Sequence, residues 1–439
     1  MSAVLHIDLP DALIDAPRHI SATGLAIGRA TLSARLAAAD GSVWESHAGF
    51  DIDASGQLSL ERDAPVSGDW QEADPMALVW AMRQLQAPTA PELSESLAPL
   101  RIELALRDAA GASVTGWFLQ RFMATGVTRT EVVEKDFSGT LFRAAGAGAA
   151  PAVVVLNGSG GGTPERAAAL YAARGYHALA LPYFKAPGRP DVISDTPLEY
   201  FETALDWLAA SVQPKAGFIA VSGTSRGGEL SLLLGAYLPQ RVSAVIGYVP
   251  SAVVHGTLRA GRPDQRRDAV AWTWRGAALP NAWHGNPQAD WTAFDTPPVE
   301  GAAIRQAPAF DSIERDPAFI AAARIPVERI RGPVLLLSGD DDGFWPSTRY
   351  ADQIVADLKA RKHAWPAEHV HNRGAGHAIA YPYVPATQIA KIHPVAGVLL
   401  SGGGTAAANA RASRDSWDRI QAFLAAAVAA ADISAGGNA

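Results

Sequence analysis

The chain contains no cysteine, which excludes disulfide staples, thiolate metal sites and a cysteine nucleophile, and fits a reducing compartment. No stretch approaches the roughly 18 consecutive apolar residues that a membrane-spanning helix needs. Cations are no majority either: 37 Lys and Arg stand against 44 Asp and Glu, a net charge of −7, which disfavours a nucleic-acid partner. The first residues, Met1 to Asp8, carry neither a basic cluster nor a long apolar core, so no secretory signal is expected and the expected location is cytoplasmic. The glycine run Gly158 to Gly162 is not followed by Gly-Lys-Ser/Thr, which argues against a phosphate loop. Apolar residues, by contrast, are abundant. Of 439 residues 48% are hydrophobic and 18% charged, enough to build two cores.

Up to about Val127 the sequence runs in short alternating segments broken by Gly, Asp and Pro, such as Ala30–Leu36, Ser42–Ser46 and Leu100–Leu106. Alternation marks half-buried strands, and strands without intervening long helices predict an antiparallel, immunoglobulin-like β-sandwich over residues 1–127. From about Arg129 short apolar runs alternate with helical stretches of ten or more residues, the pattern of a mostly parallel α/β domain over residues 128–439. Predicted strands are Ala152–Leu156, His177–Leu181, Phe218–Ser222, Ala244–Val249 and Val334–Ser338. Predicted helices are Pro164–Arg174, Glu199–Ala210, Gly228–Leu238, Ser347–Lys362 and Arg411–Ala430. At about 250–331 the alternation lapses into a Trp-, Pro- and Arg-rich insert, too long for a plain connection.

Between one of these strands and the next helix lies Gly223-Thr224-Ser225-Arg226-Gly227, the Gly-x-Ser-x-Gly pattern of a nucleophile elbow. A serine hydroxyl needs an imidazole base and a carboxylate to orient it, and in this fold class they follow in the order Ser, acid, His. The strand Val334–Ser338 ends in Gly339-Asp340-Asp341-Asp342; Asp342 is the favoured acid, because it can curl back over the sheet edge, with Asp341 second. His377, after the turn Gly374-Ala375-Gly376, is the expected base. Asn157-Gly158-Ser159-Gly160 follows another strand end, so an oxyanion site is expected from the backbone N–H of Arg226 together with that of Ser159 or Gly160. His369 and His371 share a strand face, but no nearby carboxylate completes a ligand spacing, and neither metal nor cofactor is expected. The tryptophans Trp272, Trp274, Trp283 and Trp291 read as packing residues.

These segments, together with Asp74-Pro75-Met76, Gly139-Thr140-Leu141-Phe142, Leu198-Glu199-Tyr200-Phe201, Ser225-Arg226-Gly227-Gly228-Glu229 and Ser401-Gly402-Gly403-Gly404, resemble the acyl-CoA thioesterase and bile acid-CoA:amino acid N-acyltransferase family over nearly the whole chain. The resemblance implies an N-terminal β-sandwich on a C-terminal α/β-hydrolase domain, with Ser225, Asp342 and His377 at the triad positions. It also implies a small-molecule acyl-CoA substrate. The family divides between hydrolases and amide-forming transferases, the latter usually with cysteine as nucleophile. Serine here points to water as acceptor, because an acyl serine ester suits hydrolysis better than a thioester does. The alternatives are a carboxylesterase or lactonase without coenzyme A, and an acyl-CoA:amino acid N-acyltransferase. Coenzyme A phosphates need cations, which Arg259, Arg262, Arg266 and Arg267 of the insert can supply.

Overall fold

Val153 and Val155 point into one hydrophobic core while Val154 and Leu156 point into another, because successive side chains of a strand leave opposite faces. Leu335 and Leu337 against Val334 and Leu336 repeat the division. Such strands are apolar throughout because a sheet with crossover helices on both faces has no wet side. The computed structural model describes residues 2–89, 96–146 and 148–436. Its central sheet has eight strands: β1 (Thr128–Val133), β2 (Ser138–Arg143), β3 (Ala152–Leu156), β4 (His177–Ala180), β5 (Ile219–Thr224), β6 (Ala244–Tyr248), β7 (Val334–Gly339) and β8 (Ala367–Asn372). They lie in the order β1-β2-β4-β3-β5-β6-β7-β8. β2 is antiparallel to both its neighbours, and all other pairs are parallel. This is an α/β-hydrolase sheet.

Five longer helices flank it: α1 (Glu165–Ala173), α2 (Leu198–Val212), α3 (Arg226–Tyr237), α4 (Ser347–Ala360) and α5 (Ala406–Gly436). α1 and α5 cover one face through Leu170, Tyr171, Trp417 and Leu424. α2, α3 and α4 cover the other through Leu205, Leu232, Leu233 and Ile354. Among the described residues no helix is long and apolar enough to cross a membrane.

The N-terminal part forms a sheet containing Gly28–Ala37, Val43–Ile52, Leu100–Arg107 and Ser113–Arg121, and a smaller one of Val4–Ile7, Ile20–Thr23 and Leu58–Ser59. Ile20, Ala22 and Leu58 of the small sheet share a core with Leu32, Phe50 and Ile102 of the large one. One pairing departs from the expected antiparallel pattern: Asp11–Leu13 adds to the edge strand Ser113–Arg121 in parallel. The chain crosses from the small sheet to the edge of the large one within a few residues and arrives in that direction.

The same core continues into α1 and α5, so the sandwich sits on one face of the hydrolase sheet. Polar contacts fix the junction. Asp15 accepts from Trp417 Nε1 at 2.8 Å and from Arg174 Nε at 2.7 Å, and the segment after His377 is tied down by Ala386 N–H to Trp80 O at 2.9 Å and Gln120 Nε2 to Tyr383 O at 3.0 Å.

Candidate active site

Ser225 stands where β5 turns into α3, with φ of 59°, a left-handed conformation that costs an L-residue about 1–3 kcal/mol unless its surroundings impose it. They do. The Ser225 N–H donates to Tyr248 O of β6 at 2.9 Å. A Cβ on Gly227 would lie 2.6 Å from Asn157 O, one on Gly228 would lie 2.8 Å from Tyr248 O, and one on Gly223 would overlap the carbonyl of Gly227. The turn is therefore tight enough to require glycine on both sides of the serine.

β7 delivers the acids. Asp342 accepts the N–H of Phe344 at 2.8 Å and that of Trp345 at 3.3 Å, and both of its oxygens lie 2.9 Å from Nδ1 of His377. Asp341 turns away: it accepts from Arg305 and from Gly404 N–H, each at 2.7 Å. Although burial opposes them, these donors hold the Asp341 carboxyl below its usual range. Of the two candidate acids, Asp342 is the one in contact with His377.

His377 follows β8. Its ring stacks on Phe344 at 4.4 Å between centroids and meets Trp345 edge-on. With Nδ1 facing a carboxylate, the neutral ring carries its proton there and leaves Nε2 as an acceptor. That Nε2 is buried and, among the described residues, has no hydrogen-bond partner. Ser225 and His377 line one cavity of about 380 Å³, but no hydrogen bond joins them among the described contacts; such bonds are often loose before substrate is bound.

A strap unforeseen in the sequence runs between the loops that carry Asp342 and His377. The Gly402 carbonyl accepts both the His377 N–H at 2.8 Å and the Gly343 N–H at 2.9 Å. Asp342 also bridges to Gly403, and Ala375 to Gly404. The run Ser401–Gly404 thus threads between the two loops. Cβ atoms on Gly403 or Gly376 would overlap neighbouring carbonyls, and Gly403 and Gly404 have φ of 76°. The glycine run was visible in the sequence; its place between two distant loops was not.

The loop after β3 lines the same cavity through Gly158, Ser159 and Gly160. A Cβ on Gly158 would lie 3.1 Å from the Cβ of Ser225, so this glycine lets the loop approach the serine. Among the described residues, the backbone N–H groups of Ser159, Gly160 and Arg226 make no hydrogen bond within the protein, and Arg226 opens α3, where the first N–H groups have no helical partner. The side chain of Arg226 points elsewhere. It pairs with Glu229 at 2.6 Å, both nearly fully buried, and donates to the carbonyls of His255 and Gly256. Trp272 Nε1 donates to the other Glu229 oxygen at 2.7 Å. Burial pushes the Glu229 carboxyl up, against the pull of Arg226 and Trp272. This network fastens the insert to the first turn of α3.

The remaining wall is mostly apolar: Phe344, Ile379, Tyr381, Val384 and Ile389 among others, with Lys391 as its one Lys or Arg among the described residues. None of the four arginines expected to meet coenzyme A phosphates lines it. Arg262 pairs with Asp195, Arg266 with Asp268, and Arg259 and Arg267 with Asp295, so their charge is largely answered inside the protein. Trp272 and Trp283 are buried, and Trp283 stacks on Trp291 at 4.2 Å. His369 is held by Ser338 and Asp352, and His371 by Asp340. His393, which no motif of the sequence marks, also lines the cavity; a lone His-Pro pair carries no local signal.

Two family descriptions match this chain: BAAT / Acyl-CoA thioester hydrolase C terminal over residues 196–430, and Acyl-CoA thioester hydrolase/BAAT N-terminal region over residues 15–134. Similar proteins include acyl-coenzyme A thioesterase 6 of Mus musculus, 31% identical over 416 residues and 93% of each chain. Acyl-coenzyme A thioesterase 1 of Homo sapiens is 30% identical over 425 residues, again 93% of each. The mitochondrial acyl-coenzyme A thioesterase 2 of Mus musculus is 30% identical over 416 residues, 93% of this chain and 86% of its own. Sheet order, paired loops and both matched regions agree, and the chain belongs to the acyl-CoA thioester hydrolase/BAAT family.

Proposed function

We propose that this protein hydrolyses acyl-CoA thioesters through an acyl-serine intermediate, with Ser225 as nucleophile, His377 as base and Asp342 as the acid that orients it. The observation that carries the reading is the Nε2 of His377, unpartnered among the described residues, whose ring is fixed from behind by both oxygens of Asp342, in the same cavity as Ser225. His377 takes the Ser225 proton as Oγ attacks the thioester carbon. Negative charge then gathers on the acyl oxygen, where the N–H of Arg226 and that of Ser159 or Gly160 receive it. Collapse expels the thiol. With a pKa near that of free cysteine, about 8.5, a thiolate leaves far more easily than an alkoxide; the imidazolium supplies its proton, and water repeats the sequence on the serine ester.

The apolar wall from Ile379 to Ile389 suits an acyl chain, and Lys391 suits an anionic group of coenzyme A. Serine in place of cysteine supports water as the acceptor. A panel of acyl-CoA substrates of graded length, read by released thiol and repeated with acyl-pantetheine and glycine or taurine, tests the proposal. Thiol release with free acid as the product is expected; preference for acyl-pantetheine, or amide as the main product, would reject it.

A further inference from the structure

His393 comes from the excursion between His377 and the strap, some 230 residues from the loop it meets, and is 6% exposed. Its Nε2 lies 3.0 Å from Ser159 Oγ. Its other nitrogen, Nδ1, accepts the N–H of Val395 at 3.3 Å and that of Ala396 at 3.1 Å. A nitrogen that accepts two backbone hydrogens cannot carry one itself, so the neutral ring bears its proton on Nε2 and donates it to Ser159. Burial, with the nearby charges of Arg259, Lys185 and Lys391, lowers the His393 pKa to about 4, which keeps the ring neutral. A hydroxyl that receives one hydrogen bond still has its own hydrogen to give, and among the described residues no acceptor in the protein takes it. Ser159, His393, Ser225 and His377 all line the same cavity.

We infer that Ser159 Oγ is an additional donor to the acyl oxygen, beside the backbone N–H groups, and that His393 is a positioning residue that holds this hydroxyl turned toward the substrate. The inference rests on the acyl-serine reading above. No bond is made or broken at either residue: Ser159 donates a hydrogen bond that strengthens as the carbonyl oxygen becomes an oxyanion, and His393 keeps its proton throughout. Because the gain comes in the transition state, the loss should appear in kcat rather than in KM.

The experiment compares wild type, Ser159→Ala, His393→Leu, His393→Gln and the double variant Ser159→Ala/His393→Leu, each on an acyl-CoA and on a p-nitrophenyl ester. Ser159→Ala should lower kcat roughly 100-fold, the scale of one lost oxyanion donor, with KM within about twofold on both substrates. His393→Leu should fall in the same direction. The double variant should be no slower than Ser159→Ala alone, since His393 acts only through that hydroxyl. His393→Gln should recover much of the rate, because its amide N–H can replace Nε2–H. Ser159→Ala with kcat within threefold of wild type overturns the inference, and so does a double variant showing the product of the two single losses. Ser159→Ala removes only a hydroxyl from the cavity wall and decides the matter if His393→Leu does not fold. Wild type active on the ester but inert toward acyl-CoA would reject the thioesterase reading alone, since the donor set serves any acyl carbonyl.

Discussion

Replacing Gly403 with alanine should disable the enzyme without touching any residue that meets substrate. At φ of 76° an alanine is strained, by about 1–2 kcal/mol, and its Cβ would fall on the carbonyl oxygen of Asp341, with Gly343 N at 3.0 Å. Neither neighbour is the free end of a side chain, so backbone must move. The strap and the acid loop would have to part by roughly 1 Å, a displacement that can cost about 100-fold in rate when it separates catalytic groups. The loop that moves carries Asp342, while His377 stays bonded to the Gly402 carbonyl, so the Asp342–His377 contact absorbs the shift. We expect kcat for acyl-CoA to fall 30- to 300-fold, about 2–3.4 kcal/mol in the barrier, with KM little changed. Stability should drop by about 1–3 kcal/mol. Steady-state thiol release and urea melts on the same preparation measure both. A Gly403→Ala protein with wild-type kcat would refute the strap as the element that spaces acid and base.

Asp342→Asn should lower kcat by roughly 10³–10⁴-fold with the fold intact, since the wrong histidine tautomer then faces Ser225; Asp341→Asn should cost less than about tenfold, and steady-state kinetics on both variants compare the two. Arg226→Met strands Glu229 in a buried site and should destabilise the protein by about 3–5 kcal/mol. The folded-state pKa of Glu229 is already raised, so the folded variant binds its proton more tightly than the unfolded chain does. The deficit should then be smallest below the ordinary glutamate range and grow as pH rises through it, as melts from pH 4 to 8 would show. Lys391→Ala should raise KM for acyl-CoA several-fold, more at low salt, and leave KM for acyl-pantetheine unchanged, because only the former carries the phosphates.

Much of this was legible in the sequence because it is local. The runs at β3 and β6 are apolar without a break, and those at β5 and β7 are apolar up to Ser222 and Ser338; only a sheet buried on both faces tolerates that. Gly223, Ser225 and Gly227 lie within five residues, so a single turn explains them. What depends on distant partners was not legible. Arg262 and Arg267 look like free cations in a linear chain, yet their acids, Asp195 and Asp295, arrive from 67 and 28 residues away. Ser401–Gly404 carries no local sign of its place, but Gly403 is demanded by the carbonyl of Asp341 and Gly404 by the backbone nitrogen of Gly376, which folding alone brings close. His393 gains meaning only from Ser159, 234 residues away in the chain.

The central claim is that Ser225 carries the acyl group. Acid-quenching the enzyme during turnover of an acyl-CoA and mapping its peptides by mass should place the acyl mass on Ser225, and Ser225→Ala should show no adduct and a thiol-release rate at least 1,000-fold lower, the scale expected when a nucleophile is lost. An unmodified Ser225 peptide, together with a Ser225→Ala variant that turns over at the wild-type rate, would contradict it.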